Sequence, residues 1–289
     1  MKTTRRNFLT IGAASSLLLA NPAMLLASGA TEEPKWKVGI TDWDLRGVMG
    51  RTTSFALAKE LGIEGVQVSY QSEAPNRPDS LAIRANRPRF LAAAREAGVA
   101  ITSFCIGQLN SYPLATTPEA ENWVEDCLEA MDEMDIEVVL IPFFGNADMN
   151  LHKEHQPLVI EKFRRLAPIA ERKKKILAIE SRLTAEDHLK MINRIDSDAV
   201  RVYYDTGNSH LMRYDIFHEM ELLGRRMIPE IHIKDGPRLG TGEIDFTRVW
   251  ETLQIINYEG WLVLEGSVTG DWRESQIANA QLLKRLIGR

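Results

Sequence analysis

Eight short apolar runs alternate with helical patterns along most of the chain, and this alternation constrains the fold more than any other feature. The runs end 25 to 39 residues apart, which leaves room for one strand and one helix in each repeat. They are Val38–Thr41, Gly65–Ser69, Ala100–Phe104, Val138–Phe143, Ile176–Glu180, Ala199–Tyr204, Glu230–Ile233 and Trp261–Leu264. Eight strand–helix units of this length predict an α/β fold, a closed (β/α)8 TIM barrel rather than an open sheet.

Local signals mark the ends of the predicted helices. Thr117, followed by proline, predicts one helix start and Thr184, followed by acids, predicts another, because a hydroxyl can cap free amide groups. Gly62 and Gly98 follow helical runs and precede strands, where the end of a helix needs a positive φ. No linker rich in serine, glycine or proline divides the body, so we predict a single barrel domain over residues 31–289.

The first 30 residues have the composition of an export signal. Arg5 and Arg6 are followed by an apolar stretch, Ile11–Leu26, and then by small residues. The arginine pair before Phe-Leu resembles a twin-arginine signal peptide, which predicts export to the periplasm. An ordinary secretory signal and an uncleaved anchor are the alternatives. Because Pro22 interrupts the apolar stretch, which is short for a membrane span, we expect no stable span after processing.

Charge and cysteine content exclude several classes of protein. The formal net charge is −5. The charged side chains of residues 1–30 are all basic, so the rest of the chain has a more negative net charge than the whole. Nucleic acid and anionic membranes both need a basic face, so we expect neither as a partner. Cys105 and Cys127 do not make a disulfide framework and are interpreted as small core residues. A homo-oligomer is compatible with the sequence.

Three predicted connections are long, over residues 70–88, 144–157 and 234–246. In a TIM barrel the loops that follow the strands build the active-site mouth, so these segments are either substrate walls or simple surface insertions. His152 and His155 lie three residues apart in the second of them and are interpreted as surface residues.

The last four runs each lead to a side chain that can bind a metal ion. Glu180, Asp205, His232 and Glu265 stand at the ends of neighbouring strands of the predicted barrel. Because one residue near each strand end faces the barrel axis, the four side chains can reach a common point. Three carboxylates there would repel each other unless a cation lay between them. Oxygen ligands with one imidazole suit Mn²⁺, Mg²⁺ or Co²⁺, so we predict one divalent ion.

The residues around these positions carry a family resemblance. Glu180 lies in AIES, Asp205 in DTG, His232 in HIKD and Glu265 in LEG, and they occur in this order on the last four strands. The motifs resemble the xylose-isomerase-like sugar phosphate isomerase/epimerase superfamily, and its ketose 3-epimerase branch in particular. The resemblance implies a mononuclear site of the Mn²⁺ type bound by these four residues. It also implies that Glu180 and Glu265 are the catalytic acid and base and that the substrate is a small carbohydrate.

Five further residues are candidate substrate contacts. Arg238 matches the substrate-contacting arginine of the family. Asn208 stands where many of its epimerases have a histidine, and an amide can bond a sugar oxygen but does not change charge near neutral pH. Lys234 is two residues after His232, so strand alternation puts both side chains on the same face of the strand. Lys234 would lie either near the negative charge that develops in the reaction or in an ion pair at the strand end. Asp42 and Trp43 follow the first run, where they could supply a polar contact and an apolar wall.

These features together predict a sugar isomerase or epimerase. The expected reaction removes a proton from the carbon next to a carbonyl and passes through a metal-stabilised enediolate. A lyase that expels a leaving group from a 3-keto-glycoside on the same metal site is the main alternative. A non-catalytic sugar-binding protein is a further one. An endonuclease acting on apurinic sites would need more histidine ligands for a metal cluster and a basic face for DNA. The chain has only six histidines and a negative net charge, which disfavour this class.

Overall fold

The computed structural model describes residues 35–71, 78–236, 238–266 and 268–289. Within these ranges, nine strand segments form one parallel sheet. They are β1 Trp36–Thr41, β2 Gly65–Ser69, β3 Ala100–Cys105, β4 Val138–Phe143, β5 Ile176–Ser181, β6 Val200–Val202, β7 Tyr204–Asp205, β8 Ile231–Ile233 and β9 Gly260–Leu264. The predicted runs match these segments to within two residues at each end.

The sheet comes round on itself through β6 and β7, which Tyr203 alone separates in the sequence. The strand order is β6-β5-β4-β3-β2-β1-β9-β8-β7, so these two segments stand at its two ends. β6 pairs with β5, whereas β7 pairs with β8. One continuous stretch of chain therefore bonds both neighbours and occupies a single strand position. The fold is the TIM barrel that the sequence predicts, with eight strand positions.

Helices follow the strands and cover the outside of the sheet. They are α1 Thr53–Glu60, α2 Arg87–Ala97, α3 Ala120–Met134, α4 His155–Lys173, α5 Ala185–Ile195, α6 Thr206–Leu211, α7 Ile216–Met227, α8 Phe246–Ile255 and α9 Trp272–Leu286. Thr184 caps α5 as predicted, with its hydroxyl accepting the Asp187 amide hydrogen at 3.1 Å. Gly62 and Gly98 have the predicted positive φ, 72° and 66°. The start predicted at Thr117 is wrong, because its segment forms turns on the Pro113 carbonyl and α3 begins at Ala120.

Alternation along the strands separates two buried layers. On β5, Leu177 and Ile179 belong to the large apolar cluster beneath the helices. Ile176 and Ala178 belong to a smaller cluster with Leu140 of β4. Glu180 continues this second set, because side chains two residues apart in a strand share a face. The period of two therefore directs Glu180 away from the helices and toward the barrel axis.

Each helix in the described part of the chain is too short or too polar to span a membrane. The export signal predicted for residues 1–30 lies outside the described part of the chain.

Candidate metal centre

Glu180, Asp205, His232 and Glu265 meet at the carboxyl-terminal end of the barrel. Each offers one ligand atom, and the four atoms lie within 4.8 Å of one another. His232 Nδ1 is 3.3 Å from Glu180 Oε1 and 3.8 Å from both Asp205 Oδ2 and Glu265 Oε2. The structure thus brings together the four side chains that the sequence predicts as metal ligands.

Strand register and a helix cap place these groups. Asp205 on β7 and His232 on β8 are direct register partners, so their side chains leave adjacent strands at the same height. Asp205 also caps α6, because its Oδ1 accepts the Asn208 amide hydrogen at 2.7 Å. The cap uses one carboxylate oxygen and directs the other toward the centre.

The charges of the cluster are strongly coupled. Burial lowers the pKa of His232, but the carboxylates of Glu265 and Glu180 more than offset it and raise the pKa to about 9. Burial raises the pKa of Asp205 well above its usual range, and repulsion from Glu265 adds to the effect. Burial also opposes the ionised form of Glu265, yet the charges of His232 and Lys234 hold its pKa at about 2. Without a metal ion, the centre therefore holds protons that a bound cation would displace.

A chain of buried polar groups supports His232 from inside the barrel. Ser103 donates to Glu230 Oε2 at 2.6 Å, and Tyr203 donates to the same oxygen at 2.8 Å. Ser103 Oγ in turn accepts from Gln67 Nε2 at 2.9 Å, so Gln67 Oε1 faces His232 Nε2 at 2.8 Å. An amide oxygen only accepts, so Nε2 carries a hydrogen and Nδ1 is the atom that can bind a metal.

These supporting residues were missed by sequence reasoning, although one signal was present. Gln67 is a polar residue in the middle of an otherwise apolar run and is fully buried. Burial raises the pKa of Glu230 to about 7, even though Ser103 and Tyr203 donate to its carboxylate. A buried polar side chain needs a hydrogen-bond partner, so Gln67 in that run could have been recognised as part of a network.

Lys234 reaches the centre between two glycines. Its Nζ lies 2.7 Å from Glu265 Oε2 and 3.7 Å from Asp205 Oδ2. A Cβ on Gly207 would lie 2.6 Å from Lys234 Cγ, and one on Gly266 would lie 3.6 Å from Lys234 Cε. Burial lowers the pKa of Lys234, but Asp205 and Glu265 raise it above its usual value. The glycine of the DTG motif is therefore required for space, because a side chain there would displace the lysine.

Trp43 and Asp44, just after β1, contact Glu265 and the residue that follows it. Trp43 Nε1 donates to Glu265 Oε1 at 3.2 Å, and its ring lies edge-on to His232 with a centroid separation of 6.1 Å. Asp44, which sequence reasoning missed, accepts the Gly266 amide hydrogen at 2.6 Å and so fixes the backbone just after Glu265. Burial raises the pKa of Asp44.

Asp42 has a different environment from the one predicted. It is fully buried, and its carboxylate accepts the amide hydrogens of Gly50 at 2.7 Å and Ser69 at 2.9 Å. The Ser69 hydroxyl also donates to it, at 2.6 Å. These bonds join the loop after β1 to the end of β2. The substrate contact assigned to Asp42 stays a prediction.

The two remaining predicted contacts lie at different depths. Asn208 Nδ2 is 3.2 Å from Glu180 Oε1 and 3.0 Å from Asp205 Oδ2, so the amide bridges two ligands of the centre. Arg238 is exposed in the loop after β8, where its backbone amide and carbonyl both bond the Thr241 hydroxyl. Its contact with a substrate also stays a prediction.

A pocket of about 510 Å³ opens directly beside the centre and is bordered by Glu180 and Glu265. This volume falls in the range of small-molecule sites. Apolar and polar side chains share the wall, with Trp43, Met49, Leu140, Pro142 and Phe144 on the apolar part and Ser69, Gln71, Gln108 and Asn110 on the polar part. Such a mixed lining suits a sugar, which presents hydroxyls as well as apolar C–H faces.

The four-residue cluster fits a divalent cation. Asp205 and His232 are at most 3 % exposed, and buried carboxylates packed this closely repel one another without a positive charge between them. Three carboxylates and one imidazole suit a hard or borderline ion. Gln67 already fixes the outer nitrogen of the imidazole, as is usual for a ligand histidine.

Comparison with known proteins identifies the family. The model of the xylose isomerase-like TIM barrel family matches residues 55–286. The chain belongs to this family. Among curated relatives, 3-dehydro-D-guloside 4-epimerase of Escherichia coli is 24% identical over 241 residues, which cover 75% of this chain and 87% of that protein. L-ribulose-5-phosphate 3-epimerase UlaE of Salmonella heidelberg is 23% identical over 244 residues, covering 78% and 85%.

Solved structures of sugar epimerases share the fold. The apo form of 3-keto-D-glucoside 4-epimerase YcjR from E. coli superposes with a TM-score of 0.73 at 20% identity, covering 86% of this chain and 99% of that one. D-psicose 3-epimerase of Clostridium cellulolyticum superposes with a TM-score of 0.69 at 17% identity, covering 87% and 99%. These two curated relatives and these two solved structures are all sugar epimerases by name.

Proposed function

We propose that this protein is a divalent-metal-dependent sugar epimerase or isomerase that removes and returns a proton on the carbon next to a carbonyl group. The observation that carries the proposal is the convergence of Glu180, Asp205, His232 and Glu265 within 4.8 Å beside a pocket of small-molecule size. The ion they would hold, Mn²⁺ by preference, would act as a Lewis acid on the carbonyl oxygen.

Two ligand carboxylates also border the pocket and are the proposed acid and base. Glu180 and Glu265 both line it, so each can contact a bound sugar. Glu180 would remove the proton from one face, and Glu265 would return a proton to the other. Asn208 and Trp43 donate to these two carboxylates and hold them in position.

Lys234 supplies the positive charge that the reaction needs outside the ligand set. Its ammonium is 2.7 Å from Oε2 of Glu265, which borders the pocket. Negative charge that develops on oxygen during proton abstraction would be stabilised by a cation already in place. Burial lowers the pKa of Lys234, but the carboxylates of Asp205 and Glu265 raise it above its usual value and keep the ammonium protonated.

Isotope exchange tests the proposal. Mn²⁺-loaded protein is incubated in D₂O with a panel of ketoses and 3-keto-glycosides, and deuterium at a single carbon is followed by NMR. We expect exchange in the wild type, its loss after metal removal, and a loss of at least about 100-fold in Glu180→Gln. Glu186→Gln, at an exposed position of α5, is the matched control. Full exchange by Glu180→Gln would refute its role as the base.

The same panel separates the second candidate, a lyase acting on 3-keto-glycosides. The substrate class of this candidate, though not its elimination step, is supported by the names of the E. coli relatives, which are epimerases of a 3-dehydro-guloside and of a 3-keto-glucoside. Proton abstraction beside the ketone would in that case be followed by loss of the group on the next carbon. A released aglycone would establish the lyase, whereas exchange with an intact glycoside would establish the epimerase. Tight sugar binding without either would indicate a binding protein.

We also propose that the twin-arginine signal exports the chain to the periplasm. The supporting observation is the sequence of residues 1–30, with Arg5 and Arg6 ahead of an apolar stretch. Replacing both arginines with lysine keeps the charge and is expected to retain the protein in the cytoplasm. Cell fractionation would measure this, and unchanged export of the lysine variant would contradict the route.

A further inference from the structure

A second group of side chains with metal-binding geometry lies where the loop after β4 meets the start of α4. Among the described residues, His152, Glu154 and His155 each offer one ligand atom, and these atoms lie within 4.8 Å of one another. His152 Nδ1 is 3.4 Å from Glu154 Oε1. Ligand atoms bound at about 2.0–2.1 Å to one tetrahedral ion lie about 3.3 Å apart, so this pair already has the required separation.

The two imidazole rings are stacked, at a distance from which both can reach one ion. Their centroids are 5.0 Å apart and their planes differ by 25°. Two imidazoles on one tetrahedral ion place their centroids about 5 Å apart, given a metal–nitrogen bond of about 2.0–2.1 Å. Side chains three residues apart meet here because the turn is closed by a bond from the His155 amide to the His152 carbonyl, at 2.9 Å.

A buried nitrogen in the cluster lacks a partner. Nδ1 of His155 is shielded from solvent, and no hydrogen bond to it is formed within the described part of the chain. A shielded polar atom without a partner is unusual in a folded protein and is often explained by an unobserved ion or water. Glu154, directly before α4, carries a negative charge that interacts favourably with the positive end of the helix dipole and would offset the charge of a bound cation.

We propose that His152, Glu154 and His155 form a peripheral metal site that takes Zn²⁺ or another borderline divalent ion, with water completing the coordination. Two imidazoles and one carboxylate prefer such ions, whereas the three carboxylates of the central cluster suit harder ions such as Mn²⁺. Phe144, which begins the same loop, borders the pocket beside the centre. An ion here would fasten that loop to α4, so zinc binding would stiffen one wall of the mouth.

Zinc titration of the EDTA-treated, full mature chain tests the site, with heat measured by calorimetry. Two zinc ions are expected in the wild type, one of them at the central cluster. In His152→Asn/His155→Asn the second ion is expected to bind at least about 100-fold more weakly, and zinc should no longer raise the melting temperature through it. His218→Asn, at another exposed histidine, is the matched control and should bind as the wild type does.

The outcomes distinguish this site from the central one. A Glu180→Gln/Glu265→Gln variant should lose the central ion and keep the peripheral ion. If the wild type bound a single zinc that depended on His152 and His155, the peripheral site would stand and the proposed catalytic centre would fail. Equal zinc binding by the wild type and the double histidine variant would overturn the peripheral site. Equal losses in the double variant and in His218→Asn would also overturn it, because they would show unspecific binding to surface imidazoles.

Discussion

Metal binding at the central cluster is expected to release protons, and the size of the effect follows from the surroundings of His232. Its Nδ1 faces three carboxylates at 3.3 to 3.8 Å, which raise its pKa to about 9 despite complete burial. Only the neutral imidazole can bind a metal ion. Below about pH 9 a cation must therefore displace a proton, so its apparent affinity should rise about tenfold for each pH unit.

Between about pH 6 and pH 8 this linkage amounts to about 100-fold in affinity, or about 2.7 kcal/mol. Burial also raises the pKa of Asp205, so a bound cation can displace a further proton there, and a tenfold change per pH unit is a lower bound. Calorimetric titration of apo protein with Mn²⁺, in buffers of different ionisation enthalpy, counts the protons directly. We expect at least one per ion in the wild type and in the control Glu186→Gln. An affinity independent of pH, with no proton release, would refute the reasoning.

Three further changes test the supporting structure. Gln67→Leu removes the acceptor that fixes the ligand imidazole, so the affinity for Mn²⁺ should fall about 10- to 100-fold. Gln67→Glu keeps an acceptor and should retain most of that affinity. Equal affinities of Gln67→Leu and the wild type in calorimetry would contradict this role. Gly207→Ala puts a Cβ 2.6 Å from Lys234 Cγ and should cost about 1–3 kcal/mol in urea unfolding, whereas Gly107→Ala, whose Cβ meets open space, should cost less. Burial lowers the pKa of His188 to about 4. Below pH 6.5, the usual pKa of histidine, this side chain is protonated in the unfolded state but stays neutral in the folded state. The free energy of unfolding should therefore fall between about pH 6.5 and pH 4, by about 3 kcal/mol in all. His188→Gln should flatten that dependence, and an unchanged pH profile of the variant would exclude His188 as its source.

The barrel and its four ligand positions could be predicted because both depend on local periodicity. A strand alternates its side chains with a period of two, so a charged residue at the end of an apolar run has a known direction. β2 and β4 coincide with the predicted runs, and Glu180, Asp205, His232 and Glu265 stand at the predicted strand ends. The division of the sixth strand position at Tyr203 and the later start of α3 were not visible, since they depend on bonds to neighbouring segments.

The supporting groups needed the tertiary structure. Gln67 bonds His232 across 165 positions of the sequence, and Asp44 bonds the Gly266 amide across 222. Which strand-end residues touch depends on the register between strands that are distant in the chain, and no local pattern records that register. The same holds for Asp42, whose carboxylate accepts hydrogen bonds from the amide and hydroxyl of Ser69 at the end of β2.

Alternation and spacing along the chain were therefore enough to predict the fold and the four candidate metal ligands, because both act over a few residues. How these side chains are held could be seen only in the folded protein, where Gln67 lies behind His232, Gly207 leaves room for Lys234, and two histidines and a glutamate pack beside α4. Those contacts depend on distances of a few ångströms between atoms, and such distances are set by packing rather than by order along the chain.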